Sequence, residues 1–224
     1  MVTEESAEKP VERSLSALFS DDKKFQLIPD EAANKLFRFF NYIGLVVPML
    51  VVLLAMTIQV FKHDLPCSHC NMQRLAYFML ALGPALNLRF GSRPSHYGLS
   101  LAGAFYLGLV ALDQTVRVTQ GGSVDKDGNP GWGPDFLGLH MYGWSLVIAL
   151  IAGVALILML LWDRQFELSR MEKYRPSKKL NFLLAGALVI ALAVISLDTV
   201  SVFLECGFGA CPGPPPEEYL DWWD

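Results

Sequence analysis

Five apolar blocks dominate the chain, at roughly residues 39–61, 71–90, 97–118, 140–162 and 180–204. Each approaches the ~20 predominantly apolar residues that an α-helix needs to cross a bilayer. Short segments rich in Gly, Pro, Lys, Arg and Asp separate them, and no internal repeat is visible. The pattern predicts an all-α membrane protein: a four-helix transmembrane bundle plus a fifth transmembrane helix. Three regions follow: a tail over 1–38 with an interfacial helix, a five-helix domain over 39–204, and a C-terminal tail over 205–224.

Local signals refine this outline. Pro29-Asp30-Glu31 reads as a helix start, because Pro suits the first turn and carboxylates suit the positive helix end. Pro48 is expected to kink the first span, which a bundle tolerates. The fourth helix is expected to begin near Asp135, and Gly98, Gly103 and Gly108 let the third helix approach its neighbours closely. Asp113 and Arg117 are spaced to pair along one helix face. Tyr219, Trp222 and Trp223 are expected to lie back on the membrane surface.

Composition agrees with a membrane class: of 224 residues, 53% are apolar, and the mean hydropathy is +0.35. The first thirty-odd residues are polar and acidic, unlike a cleavable signal peptide. A net charge of −4 decides little, but the placement of the basic residues decides orientation. With the N-terminus inside, the inner flanks hold Lys23, Lys24, Lys35, Arg38, Arg89, Arg93, Arg164, Arg170, Lys173, Arg175, Lys178 and Lys179. The outer segments then hold Lys62, Arg117 and Lys126, with Arg74 at the membrane edge. This asymmetry predicts N-terminus in and C-terminus out. All four cysteines then share the outer compartment, where oxidising conditions permit disulfides.

The chemistry concentrates at Pro66-Cys67-Ser68-His69-Cys70-Asn71-Met72-Gln73-Arg74. Two thiols at this spacing, with the second in a first helical turn, can close a small reducible disulfide. The positive helix end and a protonated His69 favour a thiolate there. Arg74 follows Cys70 by one turn on the same face. A structural disulfide is the bland alternative. A metal site using His63, Cys67, His69 and Cys70 lacks a second ligand pair at suitable spacing. A c-type haem motif fails because Asn71 follows Cys70 where His is required. Beyond the fifth block, Cys206 and Cys211 are separated by a Gly-containing stretch that can bend into a second disulfide loop, and the Pro run after it is stiff.

Together these stretches resemble the DsbB family of membrane thiol oxidases. The resemblance rests on Pro66-Cys67-x-x-Cys70-x-x-Gln73-Arg74, on Asp135-Phe136-Leu137-Gly138-Leu139-x-Met141-x-x-Trp144, and on the helix spacing around them, over roughly residues 35–165. It implies an inner-membrane enzyme with its redox sites facing the periplasm. Such an enzyme reoxidises a DsbA-like thioredoxin-fold protein and passes the electrons to ubiquinone or menaquinone. No nucleic-acid partner is expected; membrane lipid, the quinone and the soluble partner are. The implied redox residues are Cys67, Cys70, Cys206 and Cys211. The implied quinone-binding residues are Arg74, Met141, His140 and Gln114. Gln114 lies near a position where the family often carries a quinone-side histidine, for which His140 is the candidate substitute.

One departure distinguishes the chain. The family's second cysteine pair lies between the third and fourth helices, whereas loop 119–139 here has no cysteine. The only other pair follows the fifth helix, an arrangement closer to the five-helix DsbI-like branch. Three rival readings remain: a thiol-reducing electron conduit, a vitamin K epoxide reductase-like enzyme, and a membrane scaffold with static disulfides.

Overall fold

The computed structural model describes residues 29–62, 65–122, 131, 135–170, 178–209, 211 and 219. The tail over 1–28, His63, Trp222, Trp223 and the Pro run lie outside the described residues. Helix α1 spans Asp30–Lys62, α2 Ser68–Phe90 and α3 Pro94–Thr119. A two-residue strand pair follows, β1 Asp135–Phe136 and β2 Leu139–His140. Then come α4 Met141–Leu160, the short α5 Arg164–Leu168, and α6 Lys178–Cys206.

One sequence expectation needs correction here. Residues 135–140 form an antiparallel hairpin rather than the start of the fourth helix, with Asp135 opposite His140 and Phe136 opposite Leu139. Its turn puts Leu137 at φ 51° and Gly138 at φ 79°, left-handed positions that break helical continuity. The helix therefore starts at Met141. Tyr219 has its hydroxyl bonded to Gln59 Nε2 at the end of α1. Pro48 lies inside α1, which continues through it.

Among the described residues, four helices are long and apolar enough to cross a membrane: Asp30–Phe61, Pro94–Thr119, Met141–Leu160 and Asn181–Cys206. With 23 residues, α2 has the length, but it carries Asn71, Gln73, Arg74 and Asn87 among its apolar positions. Gln73, Arg74 and Asn87 are buried, because the other helices surround them. The centre of the bundle is apolar, with Val52, Ala76, Leu80, Leu107, Leu156 and Val194 in one cluster. Large exposed side chains such as Phe105, Leu150, Phe182 and Ile190 cover the outside, as expected where lipid replaces water.

The closest helix contact is between α2 and α3. A Cβ added at Gly83 would lie 2.1 Å from the His96 carbonyl oxygen and 2.3 Å from Ser100 Oγ. Ser100 Oγ accepts from Gly83 N at 3.2 Å and donates to the Leu80 carbonyl at 2.7 Å. Backbone, not a flexible side chain, blocks the added methyl. Gly83→Ala is therefore expected to cost about 1–3 kcal/mol by overpacking. Thermal unfolding in detergent reads this directly, and an unchanged transition would mean that α3 can move aside.

Helix α6 touches the bundle along a narrow seam. Leu184, Ala191, Asp198 and Glu205 are buried at seven-residue intervals, with Val194 between them, while most neighbouring positions face outward. This is the spacing of a helix that meets its partners on one stripe. The first part of the stripe is apolar and the last part carries two acids. That change marks where the seam reaches the cysteines.

Candidate functional site

Cys67 caps the N-terminus of α2, with φ −73° and ψ 164°, and its sulfur accepts from Cys70 N at 3.4 Å. Pro66 immediately precedes it, so the backbone enters the helix from an extended segment. The Sγ atoms of Cys67 and Cys70 lie 2.7 Å apart. They are not joined here, and a small approach would bring them to disulfide length. The Cys67 thiol is lowered to about 7. The hydrogen bond from Cys70 is the largest cause, and the amide groups of Cys70 and His69 and the His69 charge add to it against the opposing effect of burial.

This shift makes a pH prediction. The reduced Cys67 thiol should be protonated below about 7 and a thiolate above it, whereas an ordinary cysteine ionises near about 8.5. The ultraviolet thiolate absorbance of reduced protein, minus that of a Cys67→Ser variant, should rise through neutral pH. A rise confined to alkaline pH would mean that neither the Cys70 hydrogen bond nor the helix-end amides lower this thiol.

Around this pair lies a buried polar cluster built from four helices. Gln114 on α3 donates from Nε2 to Cys67 Sγ at 3.7 Å and accepts from Gln73 Nε2 at 2.8 Å. Arg74, one turn below Cys70, is 5% exposed. Its Nη1 donates to Asp198 Oδ1 at 3.0 Å and its Nη2 to Gln59 Oε1 at 2.9 Å. Gln59 Nε2 continues the chain to Ser201 Oγ at 3.0 Å. The arginine thus joins α1, α2 and α6, and a charge inside the apolar bundle is neutralised by Asp198.

The second pair sits beside the first. Cys206, the last residue of α6, is joined to Cys211 in a disulfide. Asn71, the residue after Cys70, reaches it: Asn71 Nδ2 lies 3.8 Å from Cys211 Sγ and donates to Glu205 Oε2 at 3.1 Å. Asn71 Oδ1 and Glu205 Oε1 are buried and make no hydrogen bond among the described residues. On the opposite flank, His69 Nε2 is 2.9 Å from Asp113 Oδ2, which also accepts from Arg117 Nε at 2.8 Å. The Asp113–Arg117 pairing read from their spacing is present, and it also ties the thiol-bearing turn to the end of α3.

The structure thus brings Cys67, Cys70, Arg74, Gln114 and the Cys206–Cys211 disulfide to one end of the bundle. His140 and Met141 stand at the start of α4. The His140 ring stacks on Tyr142, with centroids 5.2 Å apart. The Met141 carbonyl accepts from Ser145 Oγ, which in turn accepts from the Tyr77 hydroxyl on α2. Sequence reasoning did not single out Gln59, Asn71, Asp198 or Glu205 as site residues. Asp198 and Glu205 had a readable signal, since acids are expensive within an apolar span and mark functional positions. Gln59 and Asn71 had none, because their roles depend on which helix lies opposite.

Comparison with known proteins agrees with this geometry. Residues 37–120 match the family model described as disulfide bond formation protein DsbB. No curated protein and no solved structure matches the chain. The match contains α2 with Cys67, Cys70 and Arg74, and all of α3; the hairpin motif, α4 and the tail pair lie beyond it. Residues 37–120 are thus similar to disulfide bond formation protein DsbB, and they belong to a helical bundle in which four of the described helices have membrane-crossing length.

Proposed function

We propose that this protein is a quinone-dependent thiol oxidase of a bacterial inner membrane, in which α2 is a fifth span and both cysteine pairs face the periplasm. A soluble DsbA-like dithiol protein reduces Cys206–Cys211, and the released thiols reduce Cys67–Cys70. The observation that carries this reading is the Asn71 amide, which adjoins Cys70 in sequence and touches Cys211 in space. Exchange between the pairs needs a thiolate to reach a disulfide sulfur, and that amide joins the two.

The donor set suits a quinone. Buried guanidinium and carboxamide groups of Arg74, Gln114, Gln73 and Gln59 surround the first pair, and quinone oxygens are hydrogen-bond acceptors. Arg74 and Gln114 would hold it, with His140 and Met141 as further candidates at the start of α4. When bound, a quinone supplies a two-electron acceptor for the first pair. Arg74 places fixed positive charge near Cys70, Asp198 holds that charge in place, and the apolar packing around them excludes water. Preorganised charge of this kind favours developing negative charge.

The test is direct. Purified protein with added quinone should oxidise a reduced thioredoxin-fold dithiol protein catalytically. Absence of turnover with both ubiquinone and menaquinone would leave a scaffold with static disulfides. The basic-residue asymmetry supports the orientation, and a reporter fused after Trp223 should be active only outside the cytoplasm; cytoplasmic activity there would refute it.

A further inference from the structure

We propose that Glu205 is the proton-handling residue for exchange between the two cysteine pairs, and that Asn71 positions it; this rests on the two-pair relay proposed above. Glu205 is 2% exposed and immediately precedes Cys206. One of its oxygens is held by Asn71 Nδ2, and the same nitrogen lies against Cys211 Sγ. The carboxylate and the tail disulfide therefore flank a single amide group. The other oxygen, Oε1, has no hydrogen-bond partner among the described residues.

The contrast with Asp198 is informative. Both acids lie on the buried seam of α6, seven residues apart. Asp198 is neutralised by Arg74 through a 3.0 Å ion pair. Glu205 accepts instead from a neutral amide. A buried carboxyl group is costly unless it is paired or used, and a neutral acceptor would hold Asn71 equally well. Among the described residues, Arg74, Asp198 and Cys67 are the charged and titratable groups near enough to act on the charge of Glu205, and Asn71, which holds Glu205, adjoins Cys70 in sequence and Cys211 in space.

The chemistry requires such a group. Once a partner has reduced the tail pair, Cys206 and Cys211 carry two protons that must leave before their sulfurs can attack. Glu205 takes the proton of Cys211. The Cys211 thiolate bonds to one sulfur of Cys67–Cys70, that disulfide breaks, and the other sulfur leaves as a thiolate, which receives the proton from Glu205. Cys206 then loses its proton in the same way and attacks Cys211. The Cys206–Cys211 bond reforms, and the second sulfur of the first pair leaves and is protonated. Two electrons and two protons pass from the tail pair to the first pair, and no other reactant is consumed.

The experiment uses the full chain, oxidised and free of quinone, mixed with one equivalent of reduced thioredoxin-fold protein. Acid quenching, alkylation and mass spectrometry report which pair carries thiols over time. Glu205→Gln retains an oxygen for Asn71, and recovery of its Cys206–Cys211 disulfide before mixing checks the fold. At neutral pH this variant should accumulate thiols at Cys206 and Cys211 and fill Cys67 and Cys70 at least about ten-fold more slowly than the unsubstituted protein. The deficit should shrink at alkaline pH, where thiols ionise without a base, and Glu205→Asp should restore part of the rate. Glu205→Gln transfer at the unsubstituted rate with an unchanged pH profile would overturn the proposal and leave the relay standing. If thiols reach Cys67 and Cys70 of the unsubstituted protein without passing through the tail pair, the relay and the proposal both fall.

Discussion

Replacing Cys206 and Cys211 together by serine is expected to reduce oxidation of a soluble dithiol partner to the uncatalysed background. In the proposed relay the soluble partner meets the tail pair first, and the first pair receives electrons only from it. Cys67 is 4% exposed and is covered by Gln114 and by Cys70 itself. The tail pair lies at the C-terminal end of α6, near Phe208, which is 92% exposed. Each pair has one buried cysteine, Cys67 or Cys206, and one half-buried cysteine, Cys70 or Cys211, so it is the order of the proposed relay, not exposure, that makes the tail pair the entry point for exchange. Single variants sharpen the result. When only one of the two cysteines is replaced, the remaining sulfur can capture the partner but nothing releases it, so a mixed disulfide should accumulate on gels run without reductant. The variant that traps more partner identifies the attacked sulfur. Wild-type turnover by the double variant would mean that the partner attacks Cys67–Cys70 directly and that the tail disulfide is structural.

Breaking the Arg74–Asp198 pair is expected to have the largest effect on stability. Both side chains are nearly fully buried, and their ion pair joins α2 to α6. Asp198→Ala leaves a guanidinium inside the bundle with only Gln59 to hold it, and Arg74→Ala leaves the carboxylate. Loss of one member of a buried pair costs about 3–5 kcal/mol, because the remaining charge is uncompensated. Replacing both, as Arg74→Met with Asp198→Leu, should recover much of that loss. Thermal unfolding in detergent separates these cases, and equal stability of all three variants would mean that water reaches the pair. The quinone KM supplies the functional readout. Arg74→Lys keeps the charge but lacks the planar fork that serves Asp198 and Gln59 together. It should raise the quinone KM while both disulfides still form, and an unchanged KM would remove Arg74 from the site.

Much of this protein was legible before folding was considered. The apolar blocks located the long helices, because crossing a bilayer imposes length and composition on each segment separately. The first cysteine pair was equally plain, since a helix N-terminus, two thiols and an arginine one turn later act locally. The same holds for the Asp113–Arg117 contact, which needs only helical spacing. The start of α4 was misread because Leu137 and Gly138 take left-handed backbone angles that apolar periodicity does not encode.

Tertiary structure decided what could only be settled between helices. Arg74 stands next to Cys70 in sequence terms, but its partner Asp198 lies 124 residues away. Asn71 finds Glu205 across 134 residues and Cys211 across 140. Nothing in either local stretch specifies those pairings, because each helix is stable in lipid without them. They arise when the seven-residue seam of α6 packs its apolar half against the bundle, which carries its acidic half to the cysteines. The sequence by itself therefore determined the long helices and the placing of the first cysteine pair at a helix start, through constraints that act within one helix. The meeting of the two cysteine pairs, and the buried charges around them, belong to the packing of α6 against α1 and α2, because burial makes each polar group depend on the one opposite.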